Sequence, residues 1–267
     1  MRKQAFTLPE LLVVIGIIVV LVSMLLPSIN RAWASAQFVN CQSNLRQLGL
    51  ANQLYVNDNH GYLPFANWNP QGAATPIAYC NATIGWLYTC QNPQPAFTAD
   101  TVQTGSLWAY LTGGERLYHC PAHILGDEGN YQGAMSDVMT SYLMNGAINA
   151  YGAAKGPPQG PSGLPPAYFF KITQFNPDDA LMWEAAEEGI GAYAGWNDGG
   201  TYPNESYNPS GPQGTRTRHT IYLSLLSMDG HVEPMSTKDY WTLASISQSP
   251  RWTQNRLWCR PDTMTGH

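Results

Sequence analysis

The densest group of side chains that could do chemistry lies in the segment HCPAH at positions 119–123. His119, Cys120 and His123 offer two imidazoles and one thiol, which are donor types that zinc and related metals take. On a helix the two histidines would share a face, but Pro121 disfavours a continuous helix there. The sequence therefore favours a disulfide role for Cys120 and predicts no metal site.

The carboxylates are the second candidate for chemistry. Adjacent pairs occur at Asp127-Glu128, Asp178-Asp179 and Glu187-Glu188. Neighbouring side chains point apart on a helix or a strand, so these pairs are poorly placed for general acid and base catalysis. The loop Asn197-Asp198-Gly199-Gly200 is the best candidate for calcium, although it lacks EF-hand spacing. Because the chain has no G-x-S-x-G, P-loop or HExxH motif, we expect no enzyme and no cofactor, with calcium left open.

Five cysteines allow more disulfide pairings than the sequence can decide between. Cys80 and Cys90 flank a short segment and could close one loop, while Cys41 and Cys120 could join a long helix to the rest of the protein. Disulfides are permitted if these residues lie outside the cytoplasm. With Cys259 the count is odd, so at least one thiol stays free or pairs between molecules. The sequence contains no C-x-x-C pair, so a zinc ribbon is not expected.

The composition excludes several classes of protein. The 267 residues are 44% hydrophobic, which is enough for one sizeable core. Only 12% are charged and the net charge is −5, with no basic cluster, so a nucleic-acid partner is excluded. A surface that is polar but uncharged fits a secreted or cell-surface protein.

One carboxylate, Glu10, stands at the entrance of an uncharged apolar run from Leu11 to Leu26. A charge at the edge of a bilayer-length helix is costly and indicates a partner or a function. A cleaved signal peptide is the alternative, with Ala34-Ser35-Ala36 as its cleavage site, and a plain signal anchor is another. Glu10 counts against a signal peptide. Arg2 and Lys3 favour a cytoplasmic N-terminus.

The segment Phe6-Thr7-Leu8-Pro9-Glu10 resembles the N-terminus of type IV prepilins and type II secretion pseudopilins. The resemblance implies that a leader peptide ends at Ala5 and that the mature chain begins at Phe6. Glu10 would then be the assembly glutamate, which meets the Phe6 amine of a neighbouring subunit. Ala5 departs from the family, which usually has Gly at that position.

A second resemblance lies near the C-terminus. Nine residues separate His219 from Asp229-Gly230, as in the H-x9-DG signature of a prepilin-like family of the DUF1559 type. Two apolar runs joined by Asp-Gly predict a hairpin, because both residues tolerate the positive φ angles of a tight turn. We expect His219 to have a structural role in the sheet rather than a ligand role.

The elements that would position these residues begin with one long helix. Residues 6–57 are predicted to form this helix, with a transmembrane segment at about 8–28 and a modest kink at Pro27. Its second half is amphipathic, and Leu50 and Leu54 are expected to widen the stripe. The predicted stripe consists of Cys41, Leu45, Leu48, Asn52 and Tyr55.

The remainder, residues 58–267, is predicted to be an extracytoplasmic head, and residues 1–5 a leader. Strands are expected at 141–145 and 180–185, in addition to the C-terminal hairpin. The segment 105–122 is expected to form a short helix, a turn and a strand entering Cys120, and 241–246 a closing helix. The fold class is therefore α+β and pilin-like, with a long N-terminal helix packed on an antiparallel sheet.

These features predict a non-enzymatic filament subunit. Its expected partners are copies of itself or related pilins, the prepilin peptidase/N-methyltransferase and the inner membrane. It would cross that membrane once, with a periplasmic head, before joining a periplasmic or cell-surface filament. The alternative is a membrane-anchored module that binds glycans or other ligands through its many Trp and Tyr side chains.

Overall fold

The protein is described by a computed structural model that covers ten parts of the chain. These are residues 8–67, 84–89, 98–123, 139–152, 170–184, 199–201, 203, 219, 222–245 and 254–264. Helix α1, Leu8–Asp58, continues through Pro27 and is the longest element. Gly61, at φ +89°, ends it by donating its N–H to the Val56 carbonyl at 2.8 Å. This is where the sequence predicted the end of the helix.

The two halves of α1 have different surroundings. From Leu8 to Ala36 its side chains are exposed, whereas Cys41, Leu45 and Leu48 are fully buried. The predicted stripe is confirmed at these positions and at Asn52, and Tyr55 is half-buried.

The expected widening of this stripe is wrong. Leu50 is 62% exposed and Leu54 is 42% exposed. Leu50 follows Leu48 by two residues, a rotation of about 200° in an α-helix, which turns it away from the core. Gly49 faces the sheet instead. A methyl group there would lie 2.8 Å from Leu226 Cδ1, so the missing side chain allows close packing on the sheet.

The head contains one five-stranded sheet in the order β3-β1-β2-β4-β5. Four strands are antiparallel neighbours, and the short β3 pairs with β1 in parallel. The α+β class with a long N-terminal helix on an antiparallel sheet is thereby confirmed. The strands are β1 Tyr142–Asn145, β2 Ala180–Glu184, β3 Gly200–Thr201, β4 Tyr222–Ser227 and β5 Val232–Ser236.

The hairpin of β4 and β5 has the predicted Asp-Gly turn. Gly230, at φ +92°, donates its N–H to the Ser227 carbonyl at 3.0 Å. Asp229 Oδ1 accepts the N–H of His231 at 3.0 Å, which fixes the turn from its own side chain. Helix α2, Thr237–Ser245, follows directly and begins four residues before the predicted helix. Ser236 caps it by accepting the Asp239 N–H at 3.1 Å.

The strand predicted to enter Cys120 within residues 105–122 is wrong. The segment forms two short 3₁₀ helices, Trp108–Tyr110 and Gly114–Tyr118, and His119 leads to Cys120 without strand pairing. Gly114 has φ +67°, which starts the second turn. The segment then lies along α1, because Asn44 Nδ2 donates to the His119 carbonyl at 2.9 Å.

Candidate functional site

Among the described residues, two regions carry the strongest candidate functional residues, and the first is the exposed half of α1. Side chains from Leu11 to Leu26 are largely exposed, for example 56% at Leu11 and at Leu21. By length and composition this is the one helix among the described residues that could cross a membrane. Glu10 lies exposed in its first turn, while Ala5 and Phe6 lie outside the described residues.

The second region is buried in the head and joins four separate segments. Cys41 comes from α1, Cys120 follows the second 3₁₀ helix, Glu184 ends β2, and His219 precedes β4. One ligand atom from each of these residues lies within 4.8 Å of every other. We call these four residues the buried ligand cluster.

Within the buried ligand cluster the imidazole stands at the centre of the contacts. His219 Nε2 lies 3.1 Å from Glu184 Oε1 and 3.3 Å from Cys120 Sγ. The side chains of His219 and Glu184 are each only 4% exposed, and both cysteines are buried. Two thiols, a carboxyl and an imidazole therefore share one site closed to solvent.

Neighbouring groups hold these side chains in position. The Ser224 N–H donates to Glu184 Oε2 at 2.8 Å, which turns the other carboxylate oxygen toward His219. The Ala122 N–H donates to Cys120 Sγ at 3.4 Å. The Tyr142 hydroxyl donates to Cys41 Sγ at 3.3 Å. Such contacts from surrounding groups orient ligands and favour their charged forms.

The electrostatics of the two thiols are opposite. Burial raises the pKa of Cys41 well above its usual value. A hydrogen bond from Cys41 lowers the pKa of Cys120 to about 7, against its burial and with help from His219. Burial opposes protonation of His219, but its contacts with Cys120 and Glu184 outweigh this and raise its pKa to about 9. Cys120 is thus the thiol that ionises more readily.

The structure brings together some of the residues singled out in the sequence and separates others. Cys41 and Cys120 lie close together in the buried ligand cluster, and in this structure both are free thiols. His219 lies before β4, whereas Asp229 and Gly230 lie beyond its far end. The H-x9-DG residues therefore occupy two places.

The remaining candidates do not join the buried ligand cluster. His123 Nδ1 lies 2.8 Å from Ser141 Oγ. Asp179 accepts the Asn176 N–H at 2.8 Å within its own turn. Eight other candidates fall outside the described residues, namely Cys80, Cys90, Asp127, Glu128, Glu187, Glu188, Asn197 and Asp198.

Glu184 is the site residue that the sequence did not single out as functional. The sequence feature that could have identified it is an acidic side chain at the end of the otherwise apolar strand Ala180–Glu184. A carboxylate on a fully buried strand needs a partner, because an isolated buried charge is very costly.

Comparison with known proteins bears on the first region. Residues 1–26 match the family described as the prokaryotic N-terminal methylation motif. No curated protein and no solved structure matches the chain. The matched segment covers the predicted leader, Glu10 and the apolar run. It supports a type IV prepilin-like protein that is processed as a subunit of a pilus or pseudopilus.

Proposed function

We propose that the chain is a non-enzymatic structural subunit of a type IV pilus-like or type II secretion pseudopilus-like filament. The observation that carries the proposal is α1. Its first half has an exposed apolar surface and falls largely within the segment 1–26 that matches the methylation motif, while one face of its second half is buried against the head. A helix with this division can leave the bilayer and pack on other helices without unfolding the head.

The assembly mechanism uses the first turn of α1. Cleavage after Ala5 leaves Phe6 with a new amine, and Glu10 of one subunit pairs with that amine on the next. A charge pair in a low dielectric adds little net cohesion, because desolvation offsets the attraction, but it fixes the register. Packing of the apolar side chains against neighbouring helices supplies the larger part of the cohesion.

The proposal also includes a location and partners for the protein. The N-terminus is cytoplasmic, α1 crosses the inner membrane at about residues 8–28, and the head is periplasmic until the subunit enters a filament. The partners are other copies or related pilins and the prepilin peptidase/N-methyltransferase. The spacing of His219 and Asp229-Gly230 supports a member of the H-x9-DG, DUF1559-type group of prepilin-like proteins.

The glycan-binding alternative receives no specific support from the described residues. Trp86, Trp183 and Trp258 are fully or almost fully buried. These rings fill the core of the head, so they are not available for stacking on a sugar.

Processing is tested by mass spectrometry of the mature N-terminus, using protein purified from a host that has a prepilin peptidase. We expect a chain beginning at Phe6 with a methylated amine, and Ala5→Gly should preserve or increase the cleaved fraction. A chain that retains Met1, or one that begins at Gln37, would contradict the proposal.

Assembly is tested with Glu10→Ala. This variant should be inserted in the membrane with a folded head but should be missing from sheared filaments, because the partner of the Phe6 amine is gone. Glu115→Ala, which removes a carboxylate from the head, is the matched control and should assemble normally. Wild-type amounts of filament from the Glu10 variant would rule out the pairing mechanism.

A further inference from the structure

We propose that the buried ligand cluster is a structural zinc site, which replaces the purely structural role expected for His219. Cys41, Cys120, Glu184 and His219 supply two sulfur donors, one oxygen and one nitrogen. Four protein ligands of these types are a complete tetrahedral set for Zn²⁺, with no position left for water or substrate.

The distances between the donor atoms fit such a tetrahedron. With metal–ligand bonds of about 2.0–2.3 Å, donor atoms in a tetrahedral zinc site lie about 3.3–3.8 Å apart. His219 Nε2 already lies 3.1 Å from Glu184 Oε1 and 3.3 Å from Cys120 Sγ, and no pair exceeds 4.8 Å. Small side-chain shifts complete the geometry.

The contacts of one nitrogen atom favour a cation over a set of hydrogen bonds. Both Glu184 Oε1 and Cys120 Sγ converge on His219 Nε2. That nitrogen carries either one hydrogen or one lone pair, so it cannot make two well-directed hydrogen bonds at once. A metal ion between the donors contacts all of them simultaneously. When it binds, the two thiols release their protons to solvent, and the ion's charge of 2+ offsets two of the three negative charges of the carboxylate and the thiolates.

The groups around the cluster hydrogen-bond or pack against its side chains, as groups around the ligands of a metal site do. The Ser224 N–H holds Glu184 Oε2 and leaves Oε1 toward the centre. The Ala122 N–H and the Tyr142 hydroxyl donate to the two sulfurs. The His219 ring packs on Phe38, with ring centroids 4.7 Å apart. These contacts fix ligand orientation before any ion binds.

The ion would connect the membrane-proximal helix to the head. One ligand is on α1, one follows the 3₁₀ segment, one ends β2 and one precedes β4. Such a site contributes its binding free energy directly to folding, because its ligands come together only in the folded chain.

The test is elemental analysis of the full chain, purified in detergent without a histidine tag and under reducing conditions. We expect one zinc ion per chain. The ion should be lost in Cys120→Ser and in His219→Asn. It should be kept in the matched controls Cys259→Ser, which alters a buried cysteine outside the cluster, and His60→Asn, which alters an exposed histidine just after α1.

Two further measurements on the wild-type chain keep the proposal testable if a ligand variant fails to fold. Chelation should lower the unfolding temperature, and added zinc should restore it. Cobalt(II) in place of zinc should give the thiolate-to-cobalt charge-transfer absorption of a site with two cysteine ligands. Protein that holds no zinc and takes up none, or a Cys41–Cys120 disulfide found by mass spectrometry in protein isolated without reductant and free of metal, would overturn the proposal. Loss of the zinc site would leave the filament proposal intact, since that depends on Phe6 and Glu10.

Discussion

At the scale of single residues, Gly230 decides the hairpin turn. Its φ of +92° is open to glycine and resisted by β-branched residues, although a Cβ there would meet no atom within 4 Å. Gly230→Val should therefore lower the free energy of unfolding by about 1–3 kcal/mol through backbone strain alone. Gly230→Asn should cost less, because Asn tolerates left-handed backbone. Equal stabilities of the three proteins in chemical denaturation would contradict this account of the turn.

Asp229 in the same turn predicts a pH dependence. The backbone N–H of His231 lowers the pKa of Asp229 below its ordinary 3.8, and the His231 ring contributes further. The ionised carboxylate thus stabilises the folded state above that pH, and the contribution is lost as the pH falls through the folded pKa. Asp229→Asn should be less stable than the wild type near pH 6, and the difference should disappear once the pH is below the lowered pKa. A difference that persists at the lower pH would contradict the charge argument.

At the scale of elements, the packing of α1 on the sheet predicts a contrast between two leucines. Leu45 is fully buried and Leu50 is 62% exposed. Leu45→Ala should reduce the free energy of unfolding by about 2–5 kcal/mol, through lost burial and the cavity left behind. Leu50→Ala is the matched control and should change it by less than about 0.5 kcal/mol. Similar losses in both variants would mean that α1 packs on the head with a different face.

The same elements show which features a sequence can predict. Helix periodicity and the Asp-Gly turn are local properties, so the stripe of Cys41, Leu45 and Leu48 and the hairpin could be predicted. The exposure of Leu50 and Leu54 was within reach of the same periodicity, since Leu50 lies about 200° around the helix from Leu48, but their apolar character favoured burial in the prediction. The buried ligand cluster was missed because its members belong to four distant segments that only the folded head brings together. The sequence drew attention to His119 and His123, which are neighbours in the chain but not members of that cluster.

At the scale of the whole molecule, the core and the apolar half of α1 are separable. Residues 8–36 are exposed, and the buried part of the helix begins at Cys41. A chain that lacks residues 1–28 should therefore stay in solution without detergent and unfold within a few degrees of the full chain. A chain that lacks residues 1–46 should unfold at a lower temperature, because Cys41 and Leu45 are lost. Aggregation of the shorter deletion would show that the first half of α1 supports the head.

The continuity of α1 also has a mechanical consequence. Its 51 residues span about 76 Å at 1.5 Å per residue, so a pull on the head reaches the opposite end of the rod without passing through a loop. A force along the axis of α1 loads the contacts of residues 41–56 with the head in parallel. These contacts therefore break together rather than one after another. The protein should therefore resist a force along the axis of α1. A smaller force should suffice when it acts perpendicular to that axis and separates the head from α1.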